Sequence, residues 1–286
     1  MTEGNNVIEL TTLSDREYRL FKDLVYEKIG INLGEQKRSL IAGRLSKVLR
    51  QNGFTSFKDY YDFVSEDASG QALTTLIDRI STNHTFFNRE NDHFRYFIEV
   101  ALPELVSNLK EQGNKKIRIW SAGCSSGEES YTLAMLLLEY LGKEAASWNL
   151  RILATDISTG ALERAVGGNY ESDNVAKLPV ELRTKYLSRA SNGQWSVNDN
   201  VKSLILYRKL NLIRNDFPFK GKFHMIFCRN VMIYFDKPTR DALISRFYRY
   251  TAENGYLFIG HSETLGRENT FYRYVRPAIY RRDSLR

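Results

Sequence analysis

Hydrophobic and polar positions along this chain follow two different periods, and the change comes near residue 115. Before it the apolar residues recur at helical spacing. "SDREYRLFKDLVYEKIG" opens on Ser14 with Glu17 in the capping-box position and ends on Gly30. "EQKRSLIAGRLSKVLRQNG" repeats the design, with Leu40, Ile41, Leu45, Val48 and Leu49 on one stripe and Gly53 after it. Further helices are predicted near 56–65, 71–80 and 90–111. Beyond 115, strands alternate with helices: "KIRIWSA", helix 128–141, "LRILATDI", helix 158–166, "FHMIFCRN", helix 237–251 and "GYLFIGH". That alternation predicts an α/β domain with a doubly wound, Rossmann-like parallel sheet. Between these elements "GQWSV" and "SLILYR" predict a small antiparallel excursion at 190–208, and "FYRYVRPAIYRR" a closing hairpin.

Composition narrows the class without naming it. Of the 286 residues, 42% are hydrophobic and 26% charged, which fits a folded globular chain and excludes a disordered one. "MTEGNNVIEL" has no basic leader and no apolar run approaches a bilayer span, so a cytoplasmic protein without membrane insertion is expected. Two cysteines, Cys124 and Cys228, give neither a disulfide framework nor metal-ligand spacing, and no metal is expected. The formal charge of +7 favours acidic partners of any kind.

Candidate chemistry lies where the predicted strands end, because open parallel sheets bind ligands beyond their carboxyl edge. The first strand runs into "SAGCSSGEE", the second delivers Asp156, and the later one delivers Arg229, Asn230 and, four residues on, Tyr234. A carboxylate after the second strand suits ribose hydroxyls. The turn after the first strand has only Gly123 and Gly127, and Glu128 and Glu129 follow where a pyrophosphate would need bare N–H groups. Together these features favour a nucleoside without a phosphate chain, and S-adenosylmethionine is that molecule. Glu128 and Glu129 fit a cationic cofactor, although two glutamates in a first turn are also ordinary helix chemistry.

"STNHTFFNRE" (81–90), "WSAGCSSGEESYTLA", "ATDIS", "LNLI", "FHMIFCRNVMIYFD" and "LFIGHSE" together resemble the motifs of the chemotaxis receptor methyltransferases, the CheR family. The resemblance spans nearly the whole chain. It implies a Rossmann-like methyltransferase domain with a small antiparallel β-subdomain, preceded by an all-α N-terminal domain. The boundaries drawn are 1–85 for the helical domain, 86–114 for a helical connection and 115–286 for the catalytic domain, with the β-subdomain at about 188–208. It also implies methyl transfer from S-adenosylmethionine to glutamates on the cytoplasmic helices of chemoreceptors, leaving S-adenosylhomocysteine. Carried over by motif, the cofactor residues are Asn83, Thr85, Arg89, one of Glu128 and Glu129, Asp156, Asn211, Leu212, Arg229 and Asn230. Tyr234 matches the tyrosine near the transferring methyl, and Arg89 shares the catalytic role. The first motif departs from the family at Asn88, where an aromatic is expected.

The inventory of side chains agrees with that chemistry. A glutamate carboxylate is ionised at neutral pH and a sulfonium leaves as a neutral thioether, so no general base is needed. His84, His93, His224 and His261 are scattered and read as structural, and the cysteines as packing residues. Lys37, Arg44 and Lys47 are expected in one sector of the helix beginning near Glu35, as a rim for an acidic receptor helix. A monomer is the default. A nucleic-acid methyltransferase, and a cofactor-binding module without turnover, remain as alternatives. Against the first, this chain has "CRNVMIYF" where enzymes that methylate base amino groups usually carry an Asn- or Asp-Pro-Pro-aromatic element.

Overall fold

The computed structural model describes residues 12–190, 193–266 and 271–283, and the chain divides into two compact units. One comprises residues up to Thr82 together with Tyr234–Asp236; the other comprises Asn83–Ile233 and Lys237 onward.

The first unit is helical, with helices Asp15–Ile29, Arg38–Asn52, Phe57–Glu66 and Gln71–Ile80. Ser14 and Glu17 form the predicted reciprocal cap, Ser14 N–H donating to Glu17 Oε2 at 2.9 Å. Gly30 and Gly53 end their helices in the left-handed conformation, with φ of 71° and 75°. Tyr18, Phe21 and Val25 of the first helix are buried, as are Ile41, Leu45, Val48 and Leu49 of the second. Leu40 is not. It is 47% exposed, because a position next to Ile41 is rotated about 100° off the stripe that Ile41, Leu45, Val48 and Leu49 define. The second helix also starts later than the pattern predicts: Glu35–Lys37 is a separate 3-10 turn, so Lys37 lies outside the α-helix that carries Arg44 and Lys47.

The described residues of the second unit hold ten strands: β1 (Lys116–Ala122), β2 (Asn149–Asp156), β3 (Asn169–Tyr170), β4 (Leu187–Arg189), β5 (Trp195–Val197), β6 (Ile205–Lys209), β7 (Phe223–Cys228), β8 (Thr251–Ile259), β9 (Arg273–Arg276) and β10 (Ile279–Arg281). Seven make one sheet in the order β6-β2-β1-β7-β8-β10-β9. The first five of that order run parallel, and the β9–β10 hairpin closes the edge antiparallel. Helices Glu128–Leu141, Thr159–Gly167 and Lys237–Tyr250 follow β1, β2 and β7. The predicted helix at 90–111 is present as Asn91–Tyr96 and Leu102–Glu111, joined by one π turn, Phe97–Ala101. Phe227 and Phe258 stack with ring centres 4.2 Å apart inside the sheet's core.

The antiparallel excursion needs correction. "SLILYR" is β6, which pairs parallel to β2 with Ile152 opposite Ile205. The small sheet is β3-β5-β4, so it draws its outer strand from residues 169–170, well before 188. An edge strand with a half-exposed, alternating face has the same pattern as a hairpin strand, which is why the sequence suggested one. Among the described residues no helix is long and apolar enough to cross a membrane.

Candidate functional site

The carboxyl ends of β1, β2 and β7 bring most of the expected residues together. Asp156, at the end of β2, is 8% exposed, and both its oxygens are engaged: Ser125 N–H donates to Oδ2 at 2.8 Å and Ser158 N–H to Oδ1 at 2.9 Å. Ser125 is left-handed at φ 50°, which turns its N–H toward the carboxylate. Its hydroxyl donates to Asn83 O at 3.2 Å, and Asn83 Nδ2 donates to Ser158 Oγ at 3.2 Å. Asn83 thus ties the 81–90 motif to the turns after β1 and β2, with Thr85 half-buried two residues on. After β6, Leu210 N–H reaches Asp156 O at 2.9 Å, which places Asn211 and Leu212 beside the same strand end. Asn211 Oδ1 accepts from Ile213 N–H, and Leu212 O accepts from the buried Arg246.

The two glutamates separate. Glu128 is 2% exposed and spent on protein groups, accepting from Ser126 Oγ at 2.8 Å and Asn174 Nδ2 at 3.0 Å. Glu129 accepts from Ser121 Oγ at 2.7 Å and pairs with Arg229 at 3.0 Å. Glu129 is therefore the one facing the strand ends. Gly127 and Gly123 serve packing: a Cβ on Gly127 would fall 2.9 Å from Tyr207 OH, and one on Gly123 would fall 2.3 Å from Val231 Cγ2. Both have positive φ, so the turn closes on its own protein.

The two arginines differ as sharply. The Arg229 side chain is 3% exposed; it pairs with Glu90 and Glu129, donates to Arg89 O, and stands 5.1 Å from the Phe94 ring centre. It has little left for a ligand. Arg89 is half-buried and donates to His84 O at 2.7 Å. Its guanidinium lies 5.9 Å from the Phe86 ring centre, and its other N–H groups make no hydrogen bond among the described residues.

Glu90 and Glu263 are functional candidates that sequence reasoning did not single out, although both fall inside quoted motifs. Burial alone would raise Glu90, but Arg229, Asn230 and His261 N–H outweigh it and hold the carboxyl below its ordinary value. Glu263 is pushed up by burial despite the opposing effect of the backbone N–H groups of Gly260, Asn230, Ile233 and Met232. Asn88, Glu90, Ser125 and Asn230 all have φ between 50° and 60°. Asparagine tolerates that region, which suits Asn88 and Asn230 to their positions. Such a cluster of left-handed residues marks the site, yet only the two asparagines hint at it in the sequence.

Glu90, His93 and His261 offer ligand atoms within 4.8 Å of one another. The Glu90 oxygens already accept from Arg229, Asn230 and His261 N–H, however, so the carboxylate has no lone pair to give an ion. Burial pushes the Cys124 and Cys228 thiols well up, which keeps both from acting as nucleophiles.

In the first unit Lys37 Nζ stands 4.5 Å from the centre of the Tyr234 ring. Arg44 Nη1 donates to Ile80 O at 2.8 Å, at the end of helix Gln71–Ile80, while Lys47 is exposed. Lys37 thus precedes the helix that carries Arg44 and Lys47, close enough to Arg44 to feel its charge, while the Arg44 guanidinium also reaches the end of a second helix.

An acceptor-rich strand edge with a carboxylate at the end of the second strand, and Glu129 in the first turn of the helix after β1, fits a nucleoside cofactor that carries an ammonium and no phosphate. Residues 83–280 match the family model described as CheR methyltransferase, SAM binding domain, and residues 16–81 match CheR methyltransferase, all-alpha domain. A chemotaxis protein methyltransferase of Borreliella burgdorferi is 44% identical over 276 residues, spanning 96% of this chain and 97% of that one. A probable chemotaxis protein methyltransferase of Rhizobium etli is 37% identical over 271 residues, spanning 91% and 100%. The chemotaxis protein methyltransferase of Escherichia coli is 33% identical over 258 residues, spanning 89% and 86%. With both parts of the chain matched and these relatives aligned over nearly their full length, the chain belongs to the CheR methyltransferase family, and its second unit is an S-adenosylmethionine-binding domain.

Proposed function

We propose that this chain, acting as a monomer in the cytoplasm, methylates glutamate side chains on the cytoplasmic helices of chemoreceptors, forming methyl esters and S-adenosylhomocysteine. The observation that carries this reading is the contrast between Arg229, whose guanidinium is spent on Glu90 and Glu129, and Arg89, whose carbonyl meets Arg229 and whose fork keeps donors unengaged among the described residues. A half-buried arginine with open N–H groups suits a carboxylate, on the substrate or on the cofactor. S-adenosylmethionine supplies an electrophilic methyl on a sulfonium. The chain's own task is to bind and align: Asp156 and Asn211 hold the nucleoside, Glu129 faces the cationic half, and Arg89 steers a carboxylate. The target carboxylate arrives ionised, so no residue need remove a proton, and its charge is neutralised as the ester forms.

Receptor-containing membranes incubated with the protein and methyl-tritiated S-adenosylmethionine test the proposal, with nucleic acid as control. Label on receptor that mild base releases as methanol supports it. Label on nucleic acid, or cofactor binding without transfer, overturns it.

A further inference from the structure

Two carboxylates converge on Asn230. Glu263 Oε2 accepts from Asn230 N–H at 2.9 Å and Gly260 N–H at 2.5 Å, and Oε1 accepts from Ile233 N–H at 3.1 Å, so one side chain joins the turns after β7 and β8. Glu90 Oε1 accepts from Asn230 Nδ2 at 3.2 Å. Glu90, held below its ordinary value chiefly by Arg229 against the effect of burial, is an acceptor only. The amide must therefore turn its NH2 toward Glu90 and its Oδ1 away. The fit is close on a third side, since a Cβ on Gly260 would lie 2.6 Å from Asn230 Nδ2 and 2.8 Å from its backbone N. Asn230 itself is left-handed at φ 58°, a conformation its backbone bond to Glu263 helps to hold.

The strand order decides which part of a cofactor meets this oxygen. Asp156 ends β2, Asn211 and Leu212 follow β6, and β7 lies on the far side of β1 from both. With the ribose on Asp156 and the adenine toward β6, the amino-acid half extends toward β7. Its ammonium is a donor that an oriented amide oxygen can take.

We infer that Glu90 and Glu263 are positioning residues that fix the Asn230 side-chain oxygen as the acceptor for the ammonium group of S-adenosylmethionine. The inference rests on the ribose placement used in the proposed function. Glu90 sets which way the amide faces, and Glu263 sets the backbone from which it projects. Neither carboxylate need touch the cofactor.

Calorimetry of the full chain tests this with two probes, S-adenosylhomocysteine and its desamino analogue, which lacks only the ammonium. Glu263→Gln and Glu90→Gln should each lose about tenfold in affinity for S-adenosylhomocysteine, the size of one net hydrogen bond, and less than about twofold for the desamino analogue. Because Glu90→Gln also deprives Arg229 of a partner, Asn230→Gly provides an independent arm: glycine accepts the left-handed backbone and removes the side chain with its amide. It should show the same probe-selective loss. Equal losses for both probes, or none in Asn230→Gly, overturn the inference. Asp156→Ala keeps the two readings apart, because failure of that variant to weaken either probe counts against the ribose placement, whatever the clamp does.

Discussion

Lys37 Nζ stands 4.5 Å from the centre of the Tyr234 ring, and burial, followed by the nearby Arg44, holds its ammonium below the ordinary lysine range. Tyr234→Phe keeps this cation-ring contact and removes only the hydroxyl. If that hydroxyl orients the reacting groups, turnover falls more than S-adenosylhomocysteine affinity, while urea stability stays within about 0.5 kcal/mol. Tyr234→Leu should lose an additional ~0.5–1 kcal/mol of stability with the contact. Unchanged turnover in Tyr234→Phe would reduce the residue to packing.

Arg44 and Lys47 should now behave differently. Arg44 donates to carbonyls at the end of helix Gln71–Ile80, so Arg44→Ala should destabilise the protein by about 1–2 kcal/mol in urea titrations. Lys47→Glu changes an exposed residue and should leave stability alone while raising the receptor KM, with the difference shrinking as salt screens exposed charge. Receptor methylation equal to that of the unaltered chain at low salt would show that Lys47 takes no part.

Asp156→Asn places an amide NH2 against Ser125 N–H or Ser158 N–H, two donors that both need an acceptor. S-adenosylhomocysteine affinity should fall by about 1.5–3 kcal/mol, the scale of a charged hydrogen bond. Titration calorimetry showing unchanged affinity in a folded variant would take Asp156 out of the ribose site.

Acid should weaken the fold through His93. Burial, then Arg229, lowers this imidazole to about 3, with His261 and Arg276 acting in the same sense and Glu90 opposing. The unfolded chain protonates it below about pH 6.5. Stability from this group is therefore complete above about 6.5 and declines as the pH falls toward 3, by up to about 1.4 kcal/mol per unit. Urea midpoints at about pH 7.5 and 5.5 should differ more for the unaltered chain than for His93→Phe. Equal differences would show that His93 is not held neutral.

Elements whose periodicity reflects one-sided burial were legible in the sequence. The helix stripe at Ile41, Leu45, Val48 and Leu49 and the buried strands β1, β2 and β7 are examples. β6 was misread because an edge strand's burial pattern does not say which neighbour it pairs with. Asp156 was legible as a lone carboxylate at a strand end, but the division between Glu128 and Glu129 was not. It depends on Asn174 and Arg229, which lie far away in sequence. Glu90 and Glu263 escaped notice for the same reason, since their partners come from separate turns.

Tyr234–Asp236 lie in sequence between β7 and the helix that follows it, yet they belong to the compact helical unit whose described residues otherwise end at Thr82. There Phe235 bridges Ile31, Asn32 N–H reaches Tyr234 O at 2.8 Å, and Tyr26 OH donates to Asp236 at 2.7 Å. No single cut of the gene can therefore separate the two units cleanly. A fragment starting at residue 83 would carry three residues cut off from their packing partners, and a fragment ending at 82 would lack three of its own. Exchanging the helical unit between relatives would therefore require replacing the 234–236 segment as well.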